Sequence, residues 1–92
     1  MTHFTTPEFW RYFNGLPEDV RRLAEKDFEL LKENPRHPSL RFKKAGNYWT
    51  ARVGVHYRAL AKERAEGLLW FWIGHHSEYD RLLSYINGPS LQ

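Results

Sequence analysis

The hydrophobic pattern of this chain changes period at Asn34-Pro35 and returns to a helical period only near the C-terminus. Before that point apolar residues recur every three or four positions. After it they alternate or run together. Helices followed by a set of strands argue for an α+β domain rather than an alternating α/β one. Residues 7–34 read as a helical hairpin. Thr6 offers an N-cap hydroxyl and Pro7 suits the first helical position. Phe9, Trp10 and Phe13 follow at helical spacing, and Gly15 is placed to close the helix in the left-handed conformation. Pro17 opens a second helix, with Glu18 and Asp19 in its first turn. Val20, Leu23, Ala24, Phe28 and Leu31 form its apolar stripe, and Asn34-Pro35 ends it.

The remainder reads as a meander. Leu40, Phe42 and Lys44 alternate with Arg41 and Lys43, which predicts a strand over 40–44. Ala45-Gly46-Asn47 is a turn signal. In the next strand Trp49, Ala51 and Val53 face one way, and Tyr48, Thr50 and Arg52 the other. Gly54 starts a turn, Tyr57 to Lys62 is a third strand, and Ala65-Glu66-Gly67 a further turn. Leu68 to Ile73 is apolar without a break, as in a strand covered on both faces, so Trp70, Phe71 and Trp72 are expected in the core. Ser77 and Asp80 resemble a capping box. Tyr79, Leu82, Leu83 and Ile86 supply a helical stripe that Gly88-Pro89 stops. The expected fold is a helical hairpin on one face of a mainly antiparallel four-stranded sheet, with a short C-terminal helix. His3-Phe4 would add a fifth strand. The other sheet face is expected to stay more open and to carry the polar and basic residues.

Length and composition narrow the function. Ninety-two residues make a single domain, 1–92, with one modest core. There is no Cys, so disulfides and thiolate metal sites are excluded, which agrees with a reducing cytoplasm. No apolar run approaches membrane-spanning length. No basic n-region or apolar h-region marks a signal peptide at the N-terminus. The net charge is only +3, but its distribution is uneven. From Asn34 to Lys62 there is no Asp or Glu, while seven of the fourteen Lys and Arg fall there: Arg36, Arg41, Lys43, Lys44, Arg52, Arg58 and Lys62. A one-sign field of this kind attracts polyanions. A solvated surface that offsets the acidic helices would carry the same charges.

The ordered set Leu40-Arg41-Phe42-Lys43-Lys44, Trp49-Thr50-Ala51-Arg52-Val53-Gly54, Tyr57-Arg58-Ala59-Leu60 and Trp70-Phe71-Trp72-Ile73-Gly74-His75-His76-Ser77-Glu78-Tyr79-Asp80 resembles the RelE/ParE superfamily of type II toxins. Asn34-Pro35-Arg36-His37-Pro38-Ser39-Leu40 is similar to that family's link from hairpin to sheet. The resemblance spans nearly the whole chain. It implies a small cytoplasmic toxin held by a cognate antitoxin. In the RelE-like branch the toxin cuts messenger RNA, usually on the ribosome, by attack of a ribose 2′-hydroxyl on the adjacent phosphate without metal. In the ParE-like branch the target is DNA gyrase and no nuclease activity is expected. A toxin fold without catalysis is a further alternative.

The 2′-hydroxyl route needs a proton acceptor, a cation beside the crowded phosphate and a donor to the leaving oxygen. Arg58, the Arg of the family's Tyr-Arg pair, suits the cation role because its guanidinium fork matches phosphate. Arg52, in the polar set of its strand, is a second candidate. Either could instead pair with a surface acid. His76, before a helix N-terminus, is a candidate for proton exchange and phosphate contact, with His75 beside it. Tyr79 is a further catalytic candidate from the resemblance, and also fits the apolar stripe. Lys43, Lys44, Arg41 and His75 are candidate nucleic-acid contacts. Because Lys43 and Lys44 alternate, at most one lies on the open face. Some nucleases of the family carry lysines on the strand before the Tyr-Arg pair, where this chain has Thr50 and Ala51. That shifts weight to His76. His3, His37 and His56 are scattered in sequence, so neither a metal site nor a cofactor is expected.

Overall fold

A computed structural model of the chain describes residues 1–86. The expected stop at Gly88-Pro89 lies outside the described residues, as do the side chains of Leu83 and Ile86. The elements are β1 (His3–Thr5), α1 (Pro7–Asn14), α2 (Glu18–Glu33), a 3-10 turn (Pro38–Leu40), β2 (Lys43–Ala45), β3 (Tyr48–Val53), β4 (Tyr57–Arg64), β5 (Gly67–His75) and α3 (His76–Ile86). They form an α+β domain with one five-stranded sheet in the order β1-β5-β4-β3-β2. Strands β2 to β5 are antiparallel neighbours, and β1 adds to β5 in parallel.

The local chemistry of the hairpin explains its ends. The Thr6 hydroxyl accepts from the Phe9 N–H at 3.1 Å, so one of the free amides of α1 is satisfied. Gly15 differs from the expectation. Its φ is −84°, and the helix closes without a left-handed residue, the Gly15 N–H on the Tyr12 carbonyl at 3.2 Å and the Leu16 N–H on the Phe13 carbonyl at 3.1 Å. The strand expected over 40–44 is also shorter. Leu40 ends a 3-10 turn and is 1% exposed, and Arg41 turns through the left-handed region at φ 44°, so pairing begins only at Lys43. Pro38 forces this local turn, because it fixes φ and removes an amide donor.

The core lies between the helices and one sheet face. Phe13 and Leu31 from the helices meet Ala51, Val53, Ala59 and Trp70 from the strands. Small residues on β3 and β4 make room for the large rings of β5 and α1. The opposite face is less open than its sequence suggests. Thr50, Leu60 and Trp72 stand in register across three strands and are all buried, Leu60 completely. A bulge at Leu60/Ala61 causes this arrangement. Ala61 pairs with Trp70 while Leu60 pairs with Trp72, so Phe71 is the extra residue and is only half-buried. Trp70 and Trp72 are therefore core residues as expected, and Phe71 is not.

Gly74 follows Trp72 on this face. A Cβ there would lie 2.5 Å from the Trp72 indole. Gly74→Ala is expected to lose about 1–3 kcal/mol of stability, the usual cost of forcing a ring out of a packed position. A urea denaturation series measures it.

His3 links the edge strand to the core. Its Nδ1 accepts from the Trp70 Nε1–H at 3.0 Å, and its ring meets the edge of Phe28 at 5.3 Å. Burial first, then the charges of the N-terminus and Lys32, hold the His3 imidazole below its usual 6.5. The unfolded chain thus binds the extra proton more readily than the folded one. Stability from this site is full above pH 6.5 and is lost as pH falls toward the depressed value. His3→Gln keeps an acceptor for Trp70 and is expected to flatten this part of the pH dependence. Denaturation midpoints measured downward from pH 7 check the effect.

Candidate functional site

The register of the sheet assembles the basic residues. Arg52 on β3 and Arg58 on β4 are direct cross-strand partners, and Arg58 in turn faces Gly74 on β5. Both arginines alternate away from Ala51, Val53 and Ala59, so they share the face opposite the main core. Lys43 is the partner of Thr50 and belongs to that face, and so does Lys62, the partner of Tyr48. Four cations thus come together from three strands. Like charges placed opposite each other in a sheet repel. Among the described residues none of these four cations forms an ion pair. The guanidiniums instead donate to nearby carbonyls, Arg52 Nε to Gly54 at 2.8 Å and Arg58 to Tyr57 at 2.9 Å.

Lys44 is turned the other way. It pairs with Trp49 in register, and its ammonium lies 3.6 Å from Glu63, which also accepts from the Trp49 indole at 2.8 Å. That indole bond first, and Lys44 second, hold the Glu63 carboxyl below its ordinary range. Lys44 is therefore not brought to the arginine face, and only Lys43 serves as the strand's contribution. Arg41 is exposed in the loop before β2 and has no register position on the sheet.

Sequence reasoning passed over Lys62 and Phe71 as site residues. Lys62 lies 5.7 Å above the Phe71 ring, and Tyr48 meets that ring at 5.5 Å. A cation and two aromatic faces beside a basic row offer both phosphate contact and base stacking. The bulge that exposes Phe71 leaves no local sequence signal. Lys62 could have been found by extending the alternation of Arg58 and Leu60 by one step.

The histidines gather at one end of the sheet. Gly54 turns at φ 61°, and its N–H is held by the Asp27 carboxylate at 3.2 Å, which fixes the turn between β3 and β4. His56 ends that turn. Its carbonyl accepts from the His76 N–H at 2.8 Å, so the turn is tied to the junction of β5 and α3. His75 caps α3. Its Nδ1 accepts from the Ser77 N–H at 3.2 Å and lies 3.0 Å from the Ser77 hydroxyl. The expected Ser77 cap is thus replaced by an imidazole one residue pair earlier, because the helix already begins at His76. His75 pairs with Tyr57 and so lies on the helix-covered side of the sheet, whereas Gly74 lies under the arginines. His76 is half-buried, two residues beyond Gly74, and its ring neighbours are His75 and His56. Tyr79, one turn further on α3, is half-buried, as its place in the apolar stripe predicts.

No protein-family model and no curated protein sequence matches the chain. Solved structures do. The toxin–antitoxin complex RelB–RelE from Methanococcus jannaschii is similar at 21% identity, with 85% of this chain and 96% of that chain covered and a TM-score of 0.61. YafQ from Escherichia coli is similar at 13% identity over 85% of this chain and 96% of that one, with a TM-score of 0.64. The YoeB/ParE toxin from Agrobacterium tumefaciens is 13% identical over 83% and 99%, with a TM-score of 0.62. At these identities the likeness is one of architecture, and it agrees with the arrangement of hairpin, sheet and terminal helix described above. The fold of this chain is the one seen in these RelE, YafQ and YoeB/ParE toxin structures.

Proposed function

We propose that this chain is the toxin of a type II toxin–antitoxin pair and cleaves messenger RNA, with the ribosome as the setting. One observation carries the reading: Arg52 and Arg58 face each other across adjacent strands with no acidic partner among the described residues. Two opposed guanidiniums repel unless an anion lies between or above them, and a phosphodiester supplies that charge. Lys43 and Lys62 extend the positive face on either side, and Tyr48 and Phe71 supply flat rings for unstacked bases.

In this reading the substrate's own 2′-hydroxyl attacks the adjacent phosphorus, and the 5′-oxygen of the next nucleotide leaves. Arg58 neutralises the charge that builds on the phosphate oxygens in the transition state. Arg52 holds the same phosphate in line. His76 is the residue proposed to exchange a proton with the reacting oxygens. Lys43 and Lys62 bind flanking phosphates and supply affinity without sequence reading. Lys43→Ala combined with Lys62→Ala is expected to weaken RNA binding and to lower the slope of log affinity against log salt by about 1.4 for two single-strand contacts. Binding isotherms across a salt series measure this.

The fold also suits an antitoxin. A cleft of about 150 Å³ opens between α1, α2 and the sheet, with Phe9, Trp10 and Phe28 among its lining. Trp10 is 46% and Phe28 38% exposed, so apolar surface is available for an amphipathic segment of a partner. Incubation with labelled messenger RNA, with and without ribosomes and with each arginine replaced, tests the proposal.

A further inference from the structure

We infer that His56, His75 and His76 form a binding site for one divalent transition-metal ion, with Zn²⁺ the ion that its ligands suit. The three come from the turn before β4, the end of β5 and the start of α3. One ligand-capable nitrogen from each lies within 4.8 Å of the others. The His75 and His76 rings are 4.5 Å apart at their centroids, and both lie 6.1 Å from the His56 ring. The backbone fixes the group, because the His76 N–H bonds to the His56 carbonyl at 2.8 Å.

Zn–N bonds of about 2.0–2.1 Å place tetrahedral ligand atoms about 3.3 Å apart. The three nitrogens therefore need to close by roughly 1–1.5 Å on that scale. Ring rotation can supply this, since His56 and His75 are exposed. Three imidazoles leave a fourth position open to water.

The donor set decides the class of ion. There is no carboxylate or thiolate in the group, and the positive end of α3 lies close by. Mg²⁺ and Ca²⁺ prefer oxygen ligands and gain little here. Imidazole nitrogens select Zn²⁺, Ni²⁺ and Cu²⁺. An outer partner is in place as well. With metal on Nε2, the His75 Nδ1–H donates to the Ser77 hydroxyl, now 3.0 Å away, in place of the capping bond from the Ser77 amide. Metal would thus lock the β3–β4 turn to the start of α3.

The test uses untagged, chelator-treated full-length chain titrated with ZnCl₂ by calorimetry. The expected result is one Zn²⁺ per chain, with the melting temperature raised on the order of 10 °C at 100 times Kd. His56→Asn and His75→Asn should each weaken binding at least about tenfold, as loss of a ligand exceeds the usual 10–100-fold cost of an outer partner. His75→Asn retains an N-cap acceptor, so it keeps α3 formed. His37→Asn, remote from the group, serves as the control and should bind as the parent does. No saturable binding would overturn the inference, and so would an affinity changed less than twofold in both His56→Asn and His75→Asn. The readout involves no RNA, so it stands or falls apart from the nuclease reading.

Discussion

Replacing Arg58 by Ala is expected to lower the rate of RNA cleavage by about 10²–10³ while leaving the fold intact. That is the usual cost of losing one donor that stabilises developing charge. The side chain is half-buried on the sheet and donates to the carbonyl of its own neighbour, Tyr57. Among the described residues no ion pair depends on it, and removing one of two opposed like charges relieves repulsion with Arg52. Stability should hold or rise slightly as activity falls. Arg58→Lys should recover activity only in part, since an ammonium lacks the planar fork. Equal cleavage rates for Arg58→Ala and parent at equal soluble concentration would remove Arg58 from the mechanism.

His76→Gln is expected to lower cleavage by about 10²–10⁴, the worth of a positioned acid or base. Gln approximates the shape and keeps hydrogen-bonding capacity but exchanges no proton near neutral pH. The assay is run with a chelator present, so that metal occupancy does not enter. His75→Asn is the comparison. It preserves the cap of α3 and lies on the side of the sheet away from the arginines, so its rate should stay close to the parent's. A near-parent rate for His76→Gln would leave the arginines acting by positioning and charge alone. Equal losses at both histidines would instead mark the junction as structural.

Much of the architecture was legible because local chemistry and global packing agree. The Thr6-Pro7 start, the stripe of α2 and the alternation of β3 each specify one answer. The departures share a cause, which is that tertiary contacts override local pattern. Leu40 alternates correctly for a strand, yet Pro38 and burial of Leu40 place it in a 3-10 turn. Phe71 sits in an unbroken apolar run, yet the bulge turns it half outward. The shared face of Arg52 and Arg58 was readable from alternation, whereas the choice of Lys43 over Lys44 and the addition of Lys62 come from the strand register. The histidine group was not read, because His56 is nineteen residues from His75 in sequence. Counting back from the Ala65-Glu66 turn along both strands places Tyr57 opposite Gly74, and only the bulge at Leu60/Ala61 moves its partner to His75 and brings His56 beside the start of α3.

The role proposed for the opposed arginines is to hold and neutralise the phosphate at which messenger RNA is cut. The direct measurement is primer extension on translated transcripts after brief induced expression of the chain. Growth arrest is expected, with new 5′ ends inside translated regions that are absent when Arg58→Ala is expressed at the same level. Intact transcripts accompanied by gyrase-dependent DNA breaks would contradict it and assign the chain to the ParE-like mode of action.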